Sequence, residues 1–142
     1  MAYAASMPLT RVQIDDFLAA PHTIIVATLK RDGAPHLTTT WYRWDGEAFW
    51  ISTNRDRVKY KNLSRDPRVT VLVDDPPAET SVVGYGRAEF AAFDEAAYEG
   101  ALAIVRRYVD DPERYLGDRQ GESRVLIRIR PDRLVSWTPH DE

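Results

Sequence analysis

Cysteine is absent from this sequence of 142 residues, so disulfide bonds, thiolate metal sites and cysteine nucleophiles are excluded. Histidine is scarce and occurs only at His22, His36 and His140. None of these histidines lies in a nucleophile-and-base motif, and acidic residues and histidines are not grouped at the spacing of metal ligands. The sequence therefore predicts no triad-type hydrolysis and no metal site. We expect His22 at a surface strand end and His140 in a frayed terminus.

Long hydrophobic runs are also missing. No apolar stretch approaches the length that a bilayer-spanning helix needs, and residues 1–10 lack the basic-then-apolar order of a signal peptide. The expected location is the cytoplasm. The net charge of -3 provides no general basic surface, which nonspecific nucleic-acid binding requires. We therefore expect a small-molecule ligand and neither a nucleic-acid nor a membrane partner.

The residues that are present describe one globular domain. Hydrophobic residues make up 44% of the sequence and charged residues 29%, which is ordinary for such a domain. Thr10 and Gln13 form a capping box, in which each side chain satisfies a free backbone N–H, and this predicts a helix from Arg11 to Ala20. We expect residues 1–9 to form a flexible tail and residues 10–142 a single cofactor-binding domain.

Alternating apolar and polar residues predict strands along most of the remaining chain. Asp32-Gly33 and Asp45-Gly46 supply the residues of two tight hairpin turns. The predicted strands are His22–Lys30, Pro35–Trp44, Glu47–Thr53, Arg68–Asp74, Thr80–Phe93, Ser123–Arg130 and Leu134–Trp137, and a helix capped by Asp94 is predicted over Asp94–Tyr108. About six antiparallel strands with helices at the margins indicate a barrel-like α+β fold.

The stretch from Phe49 to Leu63 combines a strand end, a helix start and a run of cations. Ser52 and Thr53 carry hydroxyl groups that can donate hydrogen bonds. Basic residues follow at alternate positions: Arg55, Arg57, Lys59 and Lys61. Free backbone N–H groups and the helix dipole favour an anion at such a junction, whose helix we expect Asn54 or Asp56 to cap. The stretch predicts a phosphate-binding site; the alternative is a solvated basic helix face.

The strand that begins at Pro35 carries an unusual row of small hydrogen-bonding side chains. The row consists of His36, Thr38, Thr40 and Tyr42. It fits either a solvated sheet face or contact with the polar edge of a planar heterocycle.

Aromatic residues cluster on the two strands of the second hairpin. They are Trp41, Tyr42, Trp44 and Trp50. Because alternation sends them to both faces of the sheet, one core cannot hide them all. A dimer interface or the wall of a flat ligand pocket explains the surplus better than core packing alone. A redox cofactor in such a pocket would also explain the missing triad, because the protein then supplies only binding and orientation.

Several short motifs follow one another in a characteristic order. They are Asp32-Gly33-x-Pro35, the threonine strand, Trp41-Tyr42-x-Trp44-Asp45-Gly46, Ser52-Thr53, Arg57-x-Lys59-x-x-Asn62-Leu63 and Asp66-Pro67-Arg68-Val69. In this order they resemble the pyridoxamine 5'-phosphate oxidase-like split β-barrel family. The spaced Arg57-x-Lys59 and the chain end soon after Trp137 make the sequence most similar to the family's flavin/deazaflavin oxidoreductases, which use coenzyme F-420.

This resemblance implies a homodimer of six-stranded split barrels with cofactors in clefts between the subunits. It implies that Arg57 and Lys59 hold the cofactor phosphate with help from Ser52 and Thr53. Arg55 and Lys61 would meet the acidic tail of F-420. The remaining residues implied to contact the cofactor ring are Pro35, His36, Leu37, Thr38 and Thr39 of one subunit, with Tyr85 and Trp137 covering the ring from the other. Asn62 would tether the turn and Leu63 would lie in the core.

The implied function is hydride transfer between reduced F-420 and a small organic substrate. One alternative is an FMN-binding flavoprotein of the pyridoxamine phosphate oxidase type. Another is a non-catalytic cofactor-binding or haem-handling protein of the same fold. No side chain is assigned a catalytic role in any of these readings, because the cofactor carries the chemistry.

Overall fold

The computed structural model describes residues 6–117 and 123–139, which form one mainly antiparallel sheet with peripheral helices. The strands are β1 (Ser6–Met7), β2 (Ile24–Leu29), β3 (Pro35–Thr40), β4 (Arg43–Trp44), β5 (Phe49–Asn54), β6 (Arg68–Asp75), β7 (Thr80–Phe93) and β8 (Arg124–Pro139), and the helices are α1 (Arg11–Ala19), α2 (Val58–Arg65), α3 (Asp94–Val105) and α4 (Pro112–Leu116). The predicted α+β fold is confirmed. In the described part of the chain, no helix is long and apolar enough to cross a membrane.

The strand order leaves a gap in the sheet that matters for the site. The order is β3-β2-β6-β7-β8-β5-β4, so β3 and β4 lie at opposite ends although only two residues separate them in the chain. β4 pairs with β5 only at Phe49 and Trp50. The rest of that edge of β5 therefore faces β3 without a strand between them, and the barrel is split there.

The core lies inside the curved sheet and follows the alternation of its strands. Ile24 and Val26 of β2 are fully buried, as are Phe49 and Ile51 of β5. Each such side chain contributes roughly 1.5–3 kcal/mol by leaving water. Ile25 and Ala27 are only half-buried, so the apolar run at the centre of β2 is fully buried on one face only. The other face of β2 remains open in a single chain.

Two strand boundaries differ from the predictions because of the pairing between distant strands. Pro35–Trp44 is not one strand, since β3 pairs with β2 and β4 pairs with β5, and the chain must cross between them at residues 41–42. The last two predicted strands are one, β8, which passes through Pro131 at an irregularity where Gly86 pairs with Pro131 and Tyr85 with Arg133. A Cβ on Gly86 would lie 2.0 Å from the Arg130 carbonyl oxygen, so only glycine fits this approach.

The structure confirms one of the predicted helix caps and contradicts two others. The capping box of Thr10 and Gln13 is present at the start of α1. The prediction of Asn54 or Asp56 as the cap of α2 is wrong, because the N-cap is Arg57, which makes no side-chain cap hydrogen bond. Asp94 is not a cap either: β7 runs directly into α3, and Asp94 adopts a φ of 55° at this sharp strand-to-helix turn.

The aromatic surplus is packed mostly within the chain. Tyr42 is fully buried and donates its hydroxyl to the Leu18 carbonyl at 2.9 Å, so it is not part of the polar row of β3. The Trp44 indole donates to Asp15 and the Trp50 indole to Asp45, both at 2.8 Å. Trp41 packs in a second apolar cluster beneath α3. The predicted second apolar surface exists, and α3 covers much of it.

Part of the predicted tail is attached to the sheet. β1 pairs with Thr138 and Pro139 at the end of β8, and the Leu9 backbone N–H donates to Ser136 Oγ at 2.9 Å. Residues 1–5 and His140 lie outside the described residues. His22 lies just before β2, where its ring stacks on Phe17.

Candidate functional site

The gap between β3 and β5 holds two neighbouring cavities. The first, the basic cavity, has a volume of about 470 Å³ and is lined by His36, Thr38, Thr39, Ser52, Thr53, Asn54, Arg57, Val58, Lys59 and Arg124. The second, the aromatic cavity, has a volume of about 410 Å³ and is lined by Thr23, Thr39, Thr40, Trp41, Ser52, Ala101, Ile104, Val105, Tyr115, Leu116 and Arg124. Thr39, Ser52 and Arg124 line both. The two cavities are therefore adjoining parts of one cleft.

Two cations meet at the start of α2. Lys59 is only 8% exposed, although it is a lysine in the first turn of a helix, and Arg57 stands exposed beside it. Burial, and secondarily the positive charge of Arg57, lower the pKa of Lys59. Within residues 6–117 and 123–139, neither side chain has an ion-pair or hydrogen-bond partner. A largely buried lysine side chain without a counter-charge is unfavourable, and Lys59 lines the basic cavity, so this arrangement favours a bound anion there.

The backbone at the same place is suited to an anion. The first N–H groups of a helix have no intrahelical acceptor, and no side chain caps those of α2. The helix dipole adds positive potential at this end. The predicted phosphate site therefore has cations, free donors and a cavity in one place.

Buried polar atoms around the cleft also lack partners. His36 Nδ1, Thr38 Oγ1 and Arg124 Nε are buried, and none has a hydrogen-bond partner among the described residues. Buried polar atoms in proteins are almost always paired, so unpaired ones around a cavity indicate a ligand that supplies the missing partners. A flavin or deazaflavin ring carries donors and acceptors along one edge, so His36 and Thr38 fit such a group, whereas Arg124 also reaches the second cavity.

Arg124 is the charged lining residue that the sequence did not reveal among the described residues. It lies opposite Asn54 at the start of β8, and its Nη1 donates to Ser52 Oγ at 3.0 Å. Burial lowers the pKa of Arg124. A charged residue in an alternating strand is normally taken for a solvated position. Only the pairing of β8 with β5 shows that it enters the cleft.

A buried polar contact holds α2 against the sheet. Asn62 is 5% exposed and donates through Nδ2 to Thr28 Oγ1 at 3.0 Å. Thr28 is fully buried and pairs in register with His36. Arg65 donates to Asn62 Oδ1 at 3.2 Å. Leu63 lies in the core as predicted, and Asn62 connects α2 to β2, the strand beside β3, rather than tethering the turn.

The ring-contact residues predicted along β3 are divided between two faces by strand alternation. His36 and Thr38 line the basic cavity, as does Thr39 at the strand edge. Leu37 is 64% exposed on the opposite face, which it shares with Pro35. Five consecutive residues of one chain thus do not face one ring together.

The other predicted site residues lie outside the basic cavity. Arg55 forms an ion pair with Asp94 at 2.9 Å and lies over the ring of Phe93. Lys61 lines a third cavity of about 720 Å³ together with Lys30, Arg31 and Arg65.

Tyr85 and Trp137 lie on the outer face of the sheet. They are 47% and 39% exposed. Tyr85 pairs with Thr70 of β6, Thr70 pairs with Ala27 of β2, and Ala27 pairs with Leu37 of β3. Tyr85 and Leu37 therefore belong to one row across the outer face, away from the core.

Metal ligation has no structural basis in the described ranges. Over residues 6–117 and 123–139, no group of three or more His, Asp or Glu side chains is placed to hold a metal ion.

Comparison with known proteins identifies the family. The family model described as pyridoxamine 5'-phosphate oxidase matches residues 11–138. The chain belongs to this family. The predicted resemblance is thereby confirmed, and it covers nearly all of the described fold.

Solved structures within this fold include proteins of different kinds. An F-420 reductase is 27% identical with a TM-score of 0.74, over 84% of this chain and 94% of that one. A conserved hypothetical protein from Mycobacterium tuberculosis is 31% identical with a TM-score of 0.79, over 100% and 94%. The haem storage protein from Vibrio cholerae shares the fold alone, at 18% identity and a TM-score of 0.68 over 88% and 93%.

Proposed function

We propose that this chain is an oxidoreductase that binds coenzyme F-420 in the cleft between β3 and β5 and reduces a small organic substrate. The observation that carries the proposal is the buried Lys59, which has no ion-pair partner among the described residues and lies beside Arg57 at an uncapped helix start. Similarity to an F-420 reductase over most of both chains favours the deazaflavin over other cofactors. When bound, the reduced cofactor supplies the hydride.

The basic cavity would receive the cofactor phosphate. Lys59 and Arg57 provide the charges, the first N–H groups of α2 provide donors, and Ser52 and Thr53 add hydroxyl groups. A phosphate here would restore a counter-charge to Lys59. His36 Nδ1 and Thr38 Oγ1 would hydrogen-bond the polar edge of the ring.

The acidic tail of F-420 distinguishes it from FMN, and the chain offers a place for it. The third cavity adjoins the basic cavity through Val58, which lines both. Its cations include Lys30, Arg31 and Lys61. We expect the tail to extend along this side of α2, with Lys61 in the role proposed from the sequence. Arg55 already pairs with Asp94, so its part would be smaller.

The test is a set of titrations with F-420, FMN and haem. We expect F-420 to bind most tightly. Lys59→Gln with Arg57→Gln should weaken binding by roughly 2–5 kcal/mol, because both phosphate contacts are lost in a partly desolvated site. Arg130→Gln is the matched control, since Arg130 is an exposed cation outside the cleft. Tight binding of FMN alone would favour the flavoprotein alternative that the family also allows. Unchanged affinity in the double variant would remove both residues from the site.

A further inference from the structure

The aromatic cavity is unlike the basic cavity in its walls. Apolar side chains of α3, including Ala101, Ile104 and Val105, form one side, and Trp41 and Tyr115 contribute rings. Its volume of about 410 Å³ lies in the range of small-molecule pockets. No carboxylate is among its described lining residues. The aromatic cavity therefore suits a flat, largely apolar molecule.

The ring of Trp41 is held in a fixed position. It stacks on Tyr108 with a centroid distance of 4.5 Å and an interplanar angle of 2°. The Tyr108 hydroxyl donates to the His22 carbonyl at 2.6 Å, which fixes the second ring in turn. Tyr115 lies 4.9 Å from Trp41 at an angle of 30° and is 58% exposed. Trp41 thus forms a rigid wall of the aromatic cavity, and Tyr115 lies at its open side.

Among the described residues, one charged group lines the aromatic cavity. The Arg124 guanidinium is anchored by its bond to Ser52, but its buried Nε has no partner among the described residues. None of the acidic side chains in those residues forms an ion pair with it. Guanidinium groups bind carboxylates with high geometric specificity, frequently through parallel hydrogen bonds. The missing partner is therefore best supplied by a carboxylate.

We propose that the aromatic cavity binds planar, conjugated carboxylates, with the carboxylate at Arg124 and the apolar part between α3 and the Trp41 ring. The aromatic cavity adjoins the cofactor site through Thr39, Ser52 and Arg124, which would place such a ligand beside the cofactor. Describing these ligands as substrates therefore rests on the function proposed above. Binding of the carboxylate itself does not depend on which cofactor the protein uses.

The test uses trans-cinnamate as the probe and methyl cinnamate as its uncharged match. Each is titrated into the full-length, cofactor-free protein by calorimetry, with the Trp41 indole N–H followed by NMR. We expect the acid to bind at least tenfold more tightly than the ester and to shift the Trp41 resonance. Equal affinity of acid and ester would overturn the proposal.

Variants test the two walls separately. Arg124→Gln should weaken cinnamate binding at least tenfold and abolish the preference for the acid. Arg128→Gln is the matched control, because Arg128 lies on the same strand and face but is paired with Glu89 outside the cavity. Tyr115→Ala changes an exposed side chain, should fold normally and should weaken both ligands severalfold. Unchanged binding in both Arg124→Gln and Tyr115→Ala would refute the assignment.

The outcome is separable from that of the proposed function. Lys59→Gln changes the basic cavity alone, so it should weaken F-420 binding and leave cinnamate affinity within twofold of the wild type. If the wild-type protein does not bind F-420 but binds cinnamate in an Arg124-dependent way, only the cofactor proposal is refuted. If the protein binds F-420 but not cinnamate, only the proposal that the aromatic cavity binds carboxylates is refuted.

Discussion

At the scale of a single residue, the positive charge of Lys59 conflicts with its buried environment. A lysine is almost never fully buried unless it is paired, yet Lys59 is 8% exposed and has Arg57 as its charged neighbour. Both burial and this neighbour favour the neutral amine, which is why the pKa of Lys59 is lowered. A site that tolerates this cost in the free protein recovers it when an anion binds.

The pKa of Lys59 gives a direct test at this scale. Because the folded pKa lies below the unfolded value, the unfolded chain binds more protons between the two, and the contribution of Lys59 to stability rises as the pH increases through that window. NMR titration of the Lys59 side chain should show the lowered pKa. Inorganic phosphate should raise it, and Arg57→Gln should raise it in the absence of phosphate. A Lys59 pKa that phosphate leaves unchanged would argue against an anion at this position.

Helix α2 begins at the two cations, and a buried contact of Asn62, about one turn beyond Lys59, holds it against the sheet. Asn62 connects the helix to Thr28 of β2, and Thr28 is the register partner of His36. This buried hydrogen bond therefore connects the helix of the anion site to the strand that pairs with the polar row of β3. Such a bond is expensive to break, because the remaining partner stays buried without one.

Replacing Asn62 with alanine should show this coupling. We expect the free energy of unfolding to fall by about 1–3 kcal/mol, since the buried Thr28 hydroxyl loses its donor, while the Arg65 guanidinium keeps its bond to the Leu29 carbonyl. Cofactor affinity should also fall, even under conditions where the variant is fully folded. Ser64→Ala is the control for the loss of stability, because Ser64 lies on the same helix and its exposed hydroxyl donates to the Tyr60 carbonyl. If Asn62→Ala lost stability but kept full cofactor affinity, Asn62 would not position the site.

At the scale of the whole molecule, one face of the sheet is left open by a single chain. Leu37 and Tyr85 lie on one row of the outer face and are 64% and 47% exposed, and Trp137 is 39% exposed nearby on β8, opposite Ser81. Exposed apolar groups of this kind commonly mark an interface. We propose that a second copy of the chain covers this face, as the homodimer inferred from the sequence requires, and that Tyr85 and Trp137 act from there.

Leu37→Glu tests the dimer. It places a charge in the proposed interface, so sedimentation should show a shift from dimer to monomer, and cofactor affinity should drop because the second subunit no longer completes the cleft. Val12→Glu is the control, because Val12 is 69% exposed on α1 and lies outside this face. A Leu37→Glu protein that stays dimeric with unchanged affinity would place the interface elsewhere.

Local patterns in the sequence were sufficient for most of the fold. The capping box at Thr10, the apolar alternation of β5 and the polar row of His36 and Thr38 depend on neighbours within a few residues, which is why they are readable in one dimension. The cluster of donors and cations between Ser52 and Lys59 was predicted for the same reason. Ser52, Thr53, Arg57 and Lys59 line one cavity, whereas Arg55 lies outside it.

Only the tertiary structure decided which residues from distant parts of the chain meet. Arg124 reaches Ser52 because β8 pairs with β5, and Leu37 shares a row with Tyr85 because β2 and β6 lie between them. The register of paired strands sets such contacts. Because register depends on both strands, it cannot be deduced from the sequence of either strand alone. The sequence by itself determined the parts of an anion site, while long-range pairing determined that a second, aromatic cavity adjoins it.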